Sequence, residues 1–281
     1  MLTFQIFNSS SRYRKREVYI LKLKIALAQT TDSRTSSRKQ DNLNKALEWM
    51  KEAAIIGAQI IVFPEYFMGK GASEDVDGPF ISSISKKARD LGISVIAGIG
   101  EKSGLPNKYY NTIVFINADG SIIGTYRKTH LFNAFNVKES NKVLAGDKLP
   151  HPINTEFGKI SIITCYEIRF PEISRILTQM GTVILVVPSA WKKGLMKEEH
   201  WLTLVKARAL ENTIFVVAVG QTGNEYTGRS VVVDPFGVVI ADAGEEEKLL
   251  FVEIDLKRIK DVRTKLPVLD HRREDLYTVH S

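Results

Sequence analysis

Gln59-Ile60-Ile61-Val62-Phe63-Pro64-Glu65 sets four consecutive apolar residues ahead of a proline and a carboxylate. So short an apolar run, stopped by proline, reads as a buried strand with Glu65 at its exit. Upstream, residues 38–57 read as a helix with Leu43, Ala46, Leu47, Met50 and Ala54 on one stripe, ended by Gly57. Before it, residues 21–28 alternate and then turn wholly apolar, as a strand entering a buried sheet does. Downstream, Pro79 to Leu91 forms a second helix, with proline early and Gly92 at its end, and residues 93–99 form another buried strand. This β-α-β-α-β rhythm predicts an α/β layer fold.

The rhythm continues. Two strands, 111–117 and 121–127, flank Asp119-Gly120, a strong hairpin signal. After a loop-rich stretch from Thr129 to about Phe157, a strand over 159–164 ends at Cys165, and a helix begins near Pro171. Further strands are expected at 182–187, 214–219, 229–233, 238–241 and 249–254, with a helix over 197–211 and a turn at Asp234-Pro235-Phe236-Gly237. A short helix and a polar tail close the chain. No internal repeat or linker interrupts it, so one domain is expected over 281 residues.

Composition narrows the function classes. Hydrophobic residues at 44% and charged residues at 25% exclude a disordered chain, a collagen and a coiled coil. One cysteine excludes an intrachain disulfide and a multi-cysteine zinc site, and makes a reduced, cytoplasmic protein the default. The net charge of +7 is concentrated at the N-terminus, where residues 1–24 hold six basic residues and one acid. The body is nearly balanced, so residues 1–20 read as a solvated basic arm and nucleic acid is not an expected partner. No apolar run reaches the length of a membrane span.

Three groups of complementary chemistry fall at three strand ends. A lone cysteine is most often an inert small hydrophobe. Cys165, however, lies where an apolar strand gives way to Tyr166-Glu167-Ile168-Arg169, at the sheet edge where α/β proteins bind ligands. The following helix and Arg169 are expected to favour its thiolate. Glu65 either faces water or sits among Pro64, Tyr66, Phe67 and Met68, an apolar setting that suits a general base. Lys128 ends the third strand, and a solvated lysine is the plain alternative. A Cys–His hydrolase would need His130. Metal and nucleotide motifs are absent, so neither metal nor cofactor is expected.

Phe-Pro-Glu65-Tyr, Tyr-Arg-Lys128-Thr-His-Leu-Phe and Cys165-Tyr-Glu-Ile-Arg-Phe-Pro-Glu, spaced by 63 and 37 residues, resemble the three signatures of the nitrilase, or carbon–nitrogen hydrolase, superfamily. Ala207-Arg-Ala-Leu-Glu-Asn212 adds to the resemblance, which runs from about Leu21 to Tyr277 within a hydrolase domain of residues 21–281 that includes the C-terminal tail. The resemblance implies a four-layer α-β-β-α sandwich without a cofactor. It implies Glu65 as base, Lys128 as the cation beside the oxyanion, Cys165 as nucleophile and Glu139 as a second glutamate beside the lysine. The backbone N–H of Tyr166 would complete the oxyanion site. A homodimer or higher homo-oligomer, paired across the helix from Pro171 and the C-terminal tail, is implied as well.

Within the superfamily, Tyr-Glu-Ile-Arg-Phe-Pro-Glu is most similar to the branch that cleaves terminal amides of small carboxylates. Nitrile-cleaving members usually carry Trp where Tyr166 stands, and carbamoyl-cleaving members tend to carry Asn-Asp-Arg. This sequence departs from the branch at Glu167, which replaces the usual Asp, and at Arg229, which replaces a His. Arg169, Trp191 and Arg229 are the candidate pocket residues. An N-carbamoyl amide hydrolase and a catalytically silent binding or scaffold member are the alternatives.

Overall fold

The computed structural model describes residues 22–31 and 38–277, so the basic arm of residues 1–20 lies outside the described residues. Strand β1 (Lys22–Gln29) shows what the alternation encodes. Leu23, Ile25 and Leu27 enter one buried cluster while Ala26 and Ala28 enter another. β2 (Ile60–Val62) splits the same way, with Ile60 and Val62 on one face and Ile61 on the other. Burial on both faces is the condition that makes such strands read as continuous apolar runs.

β1 and β2 belong to a seven-stranded sheet, which also holds β3 (Ser94–Lys102), β4 (Tyr109–Ile116), β5 (Ile122–Arg127), β6 (Val143–Leu144) and β13 (Lys248–Asp255). The path runs β13-β1-β2-β3-β4-β5, with β6 beside the start of β4. A second sheet has six strands, in the order β12 (Val239–Asp242), β11 (Val231–Val233), β10 (Phe215–Gly220), β9 (Thr182–Ser189), β8 (Gly158–Ile162) and β7 (Ile153–Thr155). β6 and β7 fall in the stretch expected to be loop. Strands of two and three residues are too short to carry a period.

Three clusters define four layers. α1 (Lys39–Ile55) and α2 (Pro79–Leu91) bury Met50, Phe80 and Ile84 against Ile61, Val95 and Ala97 of the first sheet. Ile25, Val62 and Phe115 meet Ile162, Val186 and Val217 between the sheets. α3 (Pro171–Gln179) and α4 (Lys197–Asn212) cover the second sheet with Leu177, Trp201 and Val205 on Leu185, Val187 and Val216. This is the α-β-β-α sandwich expected from the sequence. A short helix, α5 (Lys257–Lys265), follows the last strand.

The topology also fixes where chemistry can occur. β2 and β3 run parallel, and two antiparallel steps through β4 return β5 to their direction. The exits of β2 and β5 therefore lie on one edge of the first sheet. β8, β9 and β10 are parallel in the second. The turn after β2 lies against β3, where a Cβ on Gly98 would stand 2.6 Å from the Pro64 carbonyl oxygen and 2.8 Å from the Tyr66 nitrogen. Only glycine permits that approach, because the obstacle is backbone and cannot rotate away. Gly98→Ala should cost about 1–3 kcal/mol by overpacking, or roughly 2–10 °C in Tm for a domain of this size. Thermal melts followed by circular dichroism check this, and an unchanged Tm would contradict it.

Candidate active site

Glu65 leaves β2 after Pro64 and is followed by Tyr66 in the left-handed region, at φ 56°. Its carboxylate is buried and bridges the two sheets. Oε1 accepts from Lys128 Nζ at 2.9 Å and from Asn111 Nδ2 at 2.7 Å, and Oε2 accepts from the Ala190 N–H at 2.8 Å. The surroundings of its oxygens are thus polar donors, not the apolar flank that its sequence neighbours suggest. Gln221 Nε2 donates to the Glu65 carbonyl at 2.6 Å and holds the turn from the side of β10.

Lys128 follows β5 and is 1% exposed. Its Nζ lies 2.9 Å from Glu65 and 3.0 Å from Glu139. Burial works to lower its pKa, but the carboxylates of Glu139 and Glu65 outweigh burial and hold it well above the ordinary value. Glu139 lies in a 3₁₀ turn and also accepts from the Phe132 N–H at 2.6 Å and from the Tyr66 hydroxyl. Burial favours its neutral form, yet Lys128 and these donors keep its pKa below the ordinary carboxylate value. The hydroxyl of Tyr109 nearby stays protonated, its pKa pushed up to about 12 by burial and then by Glu139 and Glu65.

Cys165 opens a 3₁₀ turn (Cys165–Arg169) and carries φ 49°. A non-glycine residue there costs roughly 1–3 kcal/mol and persists only when its surroundings hold it. Glu167 does the holding. It is fully buried and accepts from the Thr164 N–H at 2.8 Å, the Tyr126 hydroxyl at 2.6 Å and the Thr129 N–H at 2.9 Å. Glu167 thereby ties the Cys165 turn to the chain just beyond Lys128. His130 belongs to the same cluster. Its Nδ1 is 2.8 Å from Thr129 Oγ1 and its ring packs on Phe170 at 4.2 Å. It does not line the cavity that contains Cys165, and no other histidine among the described residues does, so the Cys–His arrangement lacks a base there.

Glu65, Lys128, Glu139, Cys165, Tyr166 and Trp191 do line one cavity, of about 340 Å³. Two expected pocket residues do not. Arg229 grips Asp242, with Nε at 2.9 Å and Nη2 at 2.5 Å from Oδ2, and closes a hairpin of the second sheet. Arg169 lies over the Trp191 ring at 4.8 Å without lining the cavity. Sequence reasoning missed Asn111, the Ala190 N–H and Lys197. Asn111 sits inside a strand and Ala190 acts through its backbone, so neither leaves a signal, whereas Lys197 resembles an ordinary helix start.

The expected thiolate is also corrected. Burial, and then the Glu65 carboxylate, push the Cys165 thiol above its ordinary value of 9.0, and Lys128 offsets this only in part. At neutral pH the group is therefore a thiol. Because it is the one cysteine in the chain, far-ultraviolet thiolate absorbance should show no titration step between about pH 5 and about pH 9. A step near neutrality, lost in Cys165→Ala, would contradict this.

The carbon–nitrogen hydrolase family matches residues 24–264. A deaminated glutathione amidase of Escherichia coli O157:H7 is 36% identical over 233 residues, covering 80% of this chain and 88% of that one. An omega-amidase of Mus musculus is 34% identical over 264 residues, covering 88% and 94%. Among solved structures, an amidase from Nesterenkonia sp. AN1 shares 25% identity and a TM-score of 0.78 over 91% of this chain and 95% of that one. That structure shows covalent addition of the acetamide moiety of fluoroacetamide at the active-site cysteine. The match spans nearly every described element, and by it the chain belongs to the carbon–nitrogen hydrolase family, among its amidases.

Proposed function

We propose that this protein hydrolyses the terminal amide of a small carboxylate to the acid and ammonia through a thioester on Cys165. The observation that carries the reading is the Glu65 carboxylate, fixed between Lys128 and the Ala190 N–H in the cavity that holds the only thiol. Glu65 takes the thiol proton as sulfur attacks the amide carbon. It then delivers that proton to the departing nitrogen, and the C–N bond breaks to leave the thioester and ammonia. A water molecule next gives its proton to Glu65 and its oxygen to the acyl carbon, and the returning thiol recovers the proton.

Lys128 and the Tyr166 N–H are the oxyanion donors in this scheme. An ammonium has three N–H groups. One reaches Glu65, and one can fork between the Glu139 oxygens at 3.2 and 3.0 Å, leaving the third for the substrate oxygen. One such donor is typically worth about 10²–10³ in rate. Glu139, braced by Tyr66 and Phe132, keeps Lys128 charged and in place.

The carboxylate half of the reading rests on charge. The cavity wall carries Lys70, Lys138, Lys142, Lys192 and Lys197 besides Lys128, whereas both its carboxylates turn to Lys128. An anionic substrate suits that wall, as do the names of the two amidase relatives. We further place the protein in the cytoplasm, where its thiol stays reduced. No helix among the described residues is long and apolar enough to cross a membrane. A homodimer would pair at the exposed Ile176, Met180, Leu276 and Tyr277, where Gln179 joins α3 to Glu274 of the tail.

An ammonia-release screen over ω-amides, N-carbamoyl amino acids and nitriles tests the reading. Turnover is expected for ω-amides, and Cys165→Ala should lower it by at least about 10³ while the protein stays folded. Carbon dioxide released with the ammonia would instead identify a carbamoyl substrate. Persistent turnover in Cys165→Ala would remove the covalent route.

A further inference from the structure

Lys197 is the one cavity-lining lysine besides Lys128 that the described residues bury, at 6% exposure. No carboxylate among the described residues lies within ion-pair distance of it. Lys192, by contrast, pairs with Glu225 at 3.6 Å, and Lys70, Lys138 and Lys142 are exposed. What surrounds the Lys197 ammonium is aromatic. It lies 4.5 Å from the Phe135 ring, 4.8 Å from Trp191 and 5.1 Å from Phe132. Ring faces attract a cation but return only part of its lost hydration.

The position is also built. Met196 adopts φ 57° immediately before α4, and the Trp191 indole donates to the Lys197 carbonyl at 2.7 Å. The chain from Trp191 to Lys197 is thus closed on itself with the lysine turned inward. Arg169 approaches the same Trp191 ring at 4.8 Å. Burial, and then Arg169, depress the Lys197 pKa. A buried cation facing a reactive centre, flanked by a second cation and by rings but no anion, is complementary to an anion delivered by the substrate.

We propose that Lys197 is the specificity residue that receives the remote carboxylate of the substrate, so that the cavity selects ω-amides of short dicarboxylic acids over neutral amides of equal length. The proposal rests on the carboxylate-amide reading above. The two candidate pocket arginines do not fill this place, because Arg229 is engaged by Asp242 and Arg169 lies outside the cavity wall.

The test compares succinamate with butanamide, using the full chain and its Lys197→Met, Lys197→Arg and Arg169→Met variants. Wild type should prefer succinamate. Lys197→Met should raise the KM for succinamate and cut the ratio of the two kcat/KM values by about ten- to a hundredfold, the loss of one charge-assisted contact. Lys197→Arg should restore most of that ratio, which a merely structural role would not require. A wild type without preference, a ratio within about threefold of wild type in Lys197→Met, or a selective loss in Arg169→Met alone would overturn the assignment. A second readout needs no turnover. Succinate, but not butyrate, should protect Cys165 of wild type from alkylation by iodoacetamide, read by intact mass, and should fail to protect Lys197→Met. Equal protection of both proteins would overturn the assignment, as would protection of neither. If wild type cleaves neither amide, the proposed function fails, and succinate protection still decides Lys197 on its own.

Discussion

A buried ammonium, that of Lys128, sits between two carboxylates, and the rest of the site is arranged around it. Taking three charges from water costs several kcal/mol per ion, and the cost is recovered only when geometry and hydrogen bonding are complete. They are nearly so here. Glu65 arrives from the exit of β2, Lys128 from β5 and Glu139 from the loop that follows, with Asn111, Tyr66 and the Phe132 N–H supplying the remaining donors. The second sheet then adds the Ala190 N–H to the same cluster. A four-layer sandwich is suited to this task because it brings two sets of strand ends together over a shared apolar filling.

Burial and the charge of this cluster together account for the state of the nucleophile. Burial is the larger penalty on a thiolate at Cys165, the Glu65 carboxylate adds to it, and Lys128 offsets it only in part. On the proposed mechanism, negative charge leaves the sulfur as fast as it forms and appears on the substrate oxygen, where Lys128 and the Tyr166 N–H receive it. Stabilisation is then realised in the transition state and not at rest, which is the requirement for raising kcat. The strained backbone at Cys165 and the fully buried Glu167 that holds it fix the sulfur on the cavity wall.

Much of this was legible in the sequence because burial leaves a period. Leu23, Ile25 and Leu27 against Ala26 and Ala28 announce a strand covered on both faces, and the order of Glu65, Lys128 and Cys165 with their flanking residues announces the family. What was not legible depends on pairing across the chain. Asn111 reads as a residue within a strand until β4 is set beside Glu65. Arg229 reads equally as a pocket cation or as an ion-pair residue until the hairpin brings Asp242 to it. The thiolate expectation failed because it counted the helix and Arg169 but neither the burial of the sulfur nor the carboxylate that the other sheet places beside it. Lys197 reads as the first residue of an ordinary helix, and its burial becomes visible only when Phe132 and Phe135 fold over it.

The central claim is that Lys128 carries its charge and neutralises buried carboxylates, and the melting of Lys128→Met as a function of pH tests it most directly. Removing the lysine leaves those carboxylates uncompensated, at a cost of about 3–5 kcal/mol when they are ionised. Without the cation the Glu139 pKa must move from below its ordinary value to above it, so the variant's deficit is greatest at neutral pH and is relieved as protons bind on acidification. The account predicts that the Tm gap between wild type and Lys128→Met is wide near neutral pH and narrows steadily as the pH is lowered into the carboxylate range. A gap that stays constant with pH, or widens on acidification, would contradict it.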